Sequence, residues 1–282
     1  VCTLVAVLDS DGASLPNADH GFSCVQSIHI IGPCTGALCG ANLETSFPVD
    51  GDCACDNVFL KITDSNRELA RDLWASDEDS ARTTYGEISA WEVGEVSTLN
   101  AMFSGNTGGP LSTGSHATSF NEYIGDWDTS QVTDMSFMFY EAQLFNQEIG
   151  GWDTSKVTNM DRMFFDAEDF DCAIGNWDTS QVTDMSRMFY EGTFNQDIGG
   201  WDTSKVSNMD HMFTYAIFFN HSISCWDTSQ VTNMQYMFRG AESFNQNIAY
   251  WDISKVTTMY YMFYDASSFN QNLYSWNTGH ID

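Results

Sequence analysis

The chain has 282 residues, enough for one large or two small domains, so its size excludes little. Ten lysines and arginines against 39 aspartates and glutamates give a formal charge of −29, which argues against nucleic acid and anionic membrane surfaces as partners and favours cations or basic proteins. With 43% hydrophobic and 14% aromatic residues, it carries too much apolar surface to stay disordered.

Residues 1–60 read as a small cysteine-rich module. Cys2, Cys24, Cys34, Cys39, Cys53 and Cys55 crowd into it. An even, dense set of this kind points to a disulfide framework made in an oxidising compartment. Zinc is the competing reading, but the spacings CxxxxC and CxC are not the paired CxxC hooks that zinc favours. The pairing is not readable from sequence. No apolar run reaches the roughly 18 to 20 residues that cross a bilayer. The opening VCTLVAVLDSDG has neither a basic start nor a cleavage site. The expectation is a secreted chain, extracellular or at a cell surface, with its leader removed and no membrane insertion.

Residues 61–90 are expected to form a helical cap. A helix starting near Asp64 or Ser65 places Leu69, Leu73 and Trp74 on one apolar face, suited to closing the first turn of a repeat core.

From 91 to 282 the chain repeats itself. Trp127, Trp152, Trp177, Trp201, Trp226, Trp251 and Trp276 are separated by 25, 25, 24, 25, 25 and 25 residues. A degenerate earlier copy starts at Trp91, with Val96, Leu99, Met102 and Phe103 in register and a Gly/Ser/Thr-rich loop inserted over 104–119. The last copy is truncated after Trp276, giving about eight repeats. Each unit is read as a short strand at DTSxVT. A short helix follows, with Thr158 as a cap and Met160, Met163, Phe164 and Ala167 on one face. The FNQ segment then turns the chain back. The fold class expected is an α/β repeat, a leucine-rich-repeat-like solenoid whose core forms between neighbouring turns. The MxxM pairs stand beside phenylalanines and belong to that core, since methionine fills irregular gaps between aromatics.

The unit closely resembles that of the BspA-like leucine-rich-repeat surface proteins, WDTSxVTxMxxMFxxAxxFNQ, over residues from about 64 to 282. What the resemblance implies is an extracellular or cell-surface protein used in adhesion or recognition.

Stacked turns repeat every choice as a ladder at about 5 Å. Asn146, Asn195, Asn220, Asn245 and Asn270 form one, preceded by Asn121 and broken by Asp171. An inward asparagine would satisfy buried backbone groups. Yet Asn220-His221-Ser222 is the one N-x-S/T sequon, and glycosylation needs a surface asparagine, so the two readings exclude each other. Asp128, Asp153, Asp178, Asp202, Asp227 and Asp252 form a second ladder. Its repulsion is offset either by backbone N–H bonds within each turn or by calcium or another hard cation between turns. Gln131, Lys156, Gln181, Lys205, Gln230 and Lys255 alternate, which reads as duplication of a two-turn unit and keeps lysine off lysine. Cys172 and Cys225 occupy different repeat positions, so they are read as free thiols or inter-chain bonds.

Catalysis finds no support: the histidines are scattered, and HExxH, GxSxG and phosphate-cradling glycine loops are missing. The chain reads as a structural and adhesive repeat protein. The favoured form is a subunit of a surface fibre or coat joined head-to-tail through an open solenoid end. The alternative is a monomeric recognition module holding a glycan or protein on its face.

Overall fold

The computed structural model describes residues Thr3–Val7, Ser27–Ile31, 59–105 and 118–281. All six clustered cysteines and most of the 104–119 loop lie outside them, so the expected disulfides fall outside the described residues. The chain divides into two compact units, Val1–Leu60 and Lys61–Asp282. In the first, β1 (Thr3–Val7) runs parallel to β2 (Ser27–Ile31), with Thr3 opposite Ser27 and Val7 opposite Ile31.

The second unit opens with α1 (Arg67–Ser76) and α2 (Glu78–Tyr85), followed by a 3₁₀ turn at Ile88–Ala90. Asp77 caps α2 by accepting the Ser80 N–H at 3.1 Å. The apolar face expected on α1 is not the face it buries. Leu69 is 57% exposed and Leu73 and Trp74 are half-buried, whereas Arg67, Ala70 and Arg71 are buried. The reason lies in the backbone of the first coil. Arg67 Nη1 donates to the Asn100 carbonyl at 3.1 Å, and the Asp64 carboxylate accepts the Ser97 N–H at 2.9 Å. In later coils the equivalent groups are satisfied by the preceding coil, so α1 and its lead-in supply by charged side chains what a missing neighbour would supply by backbone.

Beyond Trp91 each 25-residue unit is a coil hydrogen-bonded to the next. The expected strand is reduced to one bridge residue per coil, in parallel pairs from Thr98 and Asp134 through Asn159, Asp184, Asn208 and Asn233 to Thr258. The expected helix is a chain of tight turns. Met163 N–H bonds to the Met160 carbonyl and Phe165 N–H to that of Arg162, three residues back. Between them Met160, Arg162, Phe164 and Asp166 donate outward to Asp184, Ser186, Met188 and Tyr190 of the next coil. Arg162 and Asp166 have φ of 54° and 52°, and the same two places are left-handed in later coils. A helix would satisfy its backbone internally and hold neighbours about 10 Å apart. Turns with every second N–H directed outward let the coils approach to backbone hydrogen-bonding distance. Thr158 accordingly caps nothing; its hydroxyl donates to the Thr133 carbonyl of the preceding coil at 3.2 Å.

The inward side chains nevertheless match the sequence pattern. Val157, Met160, Met163 and Phe164 and their counterparts in neighbouring coils are buried. Two phenylalanines stack within each coil, as Phe164 and Phe170 do at 3.8 Å, and phenylalanines stack again between coils, as Phe164 and Phe189 do at 5.8 Å. Tryptophan rather than phenylalanine opens the unit because its indole has a donor to place. Trp152 Nε1 donates to the Ile124 carbonyl at 3.1 Å, and Trp177, Trp201, Trp226 and Trp251 repeat the bond one coil on. The buried Thr154 hydroxyl likewise reaches the Asp178 carbonyl of the next coil at 3.0 Å. Among the described residues no helix is long and apolar enough to cross a membrane.

Candidate functional site

The ladders named from sequence are largely committed to holding the coils. In the aspartate ladder each carboxylate accepts the N–H of the serine two residues on, at 2.9 to 3.1 Å, from Asp128 with Ser130 to Asp252 with Ser254. Those serine bonds hold the Asp128, Asp153, Asp202 and Asp252 carboxyls below the ordinary carboxylate range. Among the described residues no group of three or more acidic, histidine or cysteine side chains converges as a metal site. The serine N–H bond is thus the offset that each turn supplies to its own aspartate.

The asparagine ladder is hydrogen-bonded, yet it faces outward. Asn146, Asn220, Asn245 and Asn270 are exposed and Asn195 is half-buried. The side-chain Oδ1 of Asn146, Asn195, Asn220 and Asn245 each accepts the backbone N–H of the equivalent residue one coil later, as Asn245 does from Asn270 at 3.0 Å. Asp171 does not break it, because a carboxylate oxygen serves as well: it accepts the Asn195 N–H at 2.7 Å. Exposure and ladder duty coexist, so the exclusion drawn from sequence is corrected.

The Gln/Lys alternation becomes a set of bonded pairs. Lys156, Lys205 and Lys255 each donate to the glutamine of the preceding coil, Gln131, Gln181 and Gln230, at 2.7 to 2.9 Å. Cys172 is a buried free thiol, bonded to Asn146 Oδ1 at 3.0 Å and pushed up to about 11 by burial, while Cys225 is free and exposed.

Some surface positions do not repeat, and two of them form a strip rich in aromatic and charged groups. Ten residues after successive tryptophans stand Phe137, Arg162, Arg187, His211, Tyr236 and Tyr261; thirteen after them stand Tyr140, Phe165, Tyr190, Thr214, Arg239 and Tyr264. These are the open places of the MxxMFxx motif, and all but the buried Thr214 reach the surface. The left-handed turns present them side by side. Tyr140, Phe165 and Tyr190 stack face to face at 4.7 and 4.4 Å, and His211 stacks on Tyr236 at 4.4 Å. The Arg239 guanidinium lies 5.3, 5.6 and 5.7 Å from the rings of Tyr215, Tyr236 and Tyr264. Tyr260, Tyr261 and Tyr264 are 54%, 45% and 47% exposed.

Charge is concentrated along the middle of this strip. Buried Asp210 bonds His211 Nδ1 at 2.6 Å and pairs with Arg187 at 2.5 Å. Burial pushes its carboxyl up, but these partners prevail and hold it below the ordinary range. Asp166 has no such partner: burial, then the neighbouring Glu191, Glu168 and Glu141, push it up to about 6. The strip thus offers ring edges, phenol hydroxyls, guanidinium and carboxylate groups in an order that differs from coil to coil. The strip is no recurring motif, so in the sequence it shows only in the letters that differ from coil to coil.

A stack of hydrogen-bonded coils with a recurring core and varied surface places defines a repeat protein. The chain belongs to the family described as "Mycoplasma protein of unknown function, DUF285", whose family model matches residues 111–198 and 191–282, together more than half of its length. No curated protein and no solved structure matches it.

Proposed function

We propose that the chain is an extracellular, non-enzymatic surface protein of the BspA-like kind, a leucine-rich-repeat-like solenoid that binds another protein along its varied strip. The observation that carries the reading is the contrast between positions. Core and ladder positions repeat nearly unchanged from coil to coil, while the pair of residues ten and thirteen places after each tryptophan differs from one coil to the next. Uniform positions serve stacking; varied ones serve recognition.

A protein partner suits the strip better than a glycan. Its rings lie face to face at one end, as Phe165 and Tyr190 do with planes 7° apart, and meet edge to face at the other, as Tyr261 and Tyr264 do at 83°, so ring edges and faces alternate with the Arg239 guanidinium. Tyrosine edges, hydroxyls and arginine are what protein interfaces favour. The formal charge of −29 favours a basic partner over an acidic one. Head-to-tail fibre formation is the weaker reading, because contacts between ends leave the variation along the strip without a use.

The test is antibody labelling of intact source cells together with sedimentation of the purified protein. Surface labelling and a monomeric species support the reading. Protein confined to the cell interior, or regular filaments, overturn it.

A further inference from the structure

The turn at Asn220 combines features that no other rung shares. Asn220-His221-Ser222 is the chain's one N-x-S/T sequon, and Asn220 is exposed. Its Oδ1 is occupied twice, by the Asn245 N–H and by Gln246 Nε2, each at 2.9 Å. Only the oxygen is used. The amide nitrogen, the atom a glycosyltransferase modifies, makes no bond to the protein, and attaching a sugar to it leaves the oxygen's lone pairs on the ladder.

Two residues earlier stands Phe218, 51% exposed. The corresponding places in other coils hold Leu144, Asp169, Thr193, Ser243 and Ser268. Phe219 between them is fully buried, while Phe218 and Asn220, two residues apart, are both exposed. A lone exposed phenyl ring here has no covering group in the stack, and the apolar C–H face of a pyranose fits it.

We propose that Asn220 carries an N-linked glycan whose first sugar packs on Phe218. The linkage joins Asn220 Nδ2 to the sugar's anomeric carbon, releasing the lipid pyrophosphate of the donor and one proton from the amide. This inference rests on the extracellular reading, since the modification is made on the secretory route.

The experiment is glycopeptide mass spectrometry of the full-length protein recovered from the medium and from the interior of its source cells, with another secreted glycoprotein of the same cells as a control. A glycan on the Asn220 peptide of the secreted protein supports the proposal. A bare Asn220 in secreted protein, beside a glycosylated control, overturns the site and leaves the extracellular reading standing. Retention inside the cell overturns both. Among variants, Ser222→Ala loses the glycan while Asn220 keeps its ladder bonds. The glycosylated protein melts above its Ser222→Ala variant, and that difference disappears when Phe218→Ser is present in both; an equal difference in the two backgrounds overturns the packing on Phe218.

Discussion

A Cβ built on Gly240 would stand 2.3 Å from Cδ1 of Tyr215 in the preceding coil, and Gly240 has φ of +65°. Equivalent places in other coils tolerate Asp166, Glu191 and Asp265 in the left-handed region, so conformation alone does not demand glycine. The ring above it does. Tyr215 lies over Gly240 and forms one wall of the cluster holding the Arg239 guanidinium. Gly240→Ala is expected to displace Tyr215 and to cost about 1–3 kcal/mol, the usual range for overpacking. Urea unfolding gives the loss, and near-ultraviolet circular dichroism reports the tyrosine; an unchanged variant would contradict the ring's placement.

Arg67 is expected to matter more than the apolar residues of its own helix. Arg67→Met keeps much of the side-chain length but leaves the Asn100 carbonyl without its donor, for a loss of about 1–3 kcal/mol. Leu69→Gln, on the exposed side, should stay within about 0.5 kcal/mol of the parent. Reversal of that order in chemical denaturation would restore the apolar-face reading of α1.

Acidity should favour the middle of the stack down to a limit. The folded Asp166 carboxyl is raised to about 6, above its unfolded value, so its contribution is fully present below about pH 4 and is lost as pH rises through 6. Asp166→Asn should therefore gain about 1 kcal/mol near pH 7.5 after allowance for solvent screening, with no gain near pH 4. Asp128, Asp153 and Asp202 act in the opposite sense: their carboxyls are lowered, and their support disappears as pH falls below about 4. A gain from Asp166→Asn that is equal at both pH values would show that charge is not its cause.

Chelation should leave the coils untouched. Every carboxylate of the aspartate ladder is already bonded to a serine N–H in its own turn, so a melting temperature measured with and without chelator should be the same. A drop on chelation would restore the cation reading.

The 25-residue period, the tryptophan register and the buried Met/Phe set were legible because each is a spacing, and spacing survives whatever backbone carries it. The backbone itself was not. Met160, Met163, Phe164 and Ala167 fit a helical face, but linked three-residue turns bring the same positions inward, and the choice is made by N–H groups such as that of Arg162 reaching Ser186 in a neighbouring coil. Arg67 and Arg71 escaped notice for a related reason. An arginine on an amphipathic pattern reads as solvated until the carbonyl edge it covers is known. The hydrogen-bonding duty of the asparagine ladder is legible in the sequence but its outward side is not, because an amide bonding along the stack does not need burial to find its partner.

The most direct test of recognition along the strip is adhesion of the labelled, full-length protein to its source cells and to an array of basic extracellular proteins. The triple variant Tyr236→Ser, Arg239→Ser, Tyr264→Ser is measured beside Lys156→Gln on a bonded ladder. The account predicts saturable binding that falls by about tenfold or more in the triple variant, as loss of interface anchors does, and holds in Lys156→Gln. Equal binding by both variants, or none by the parent, would contradict it.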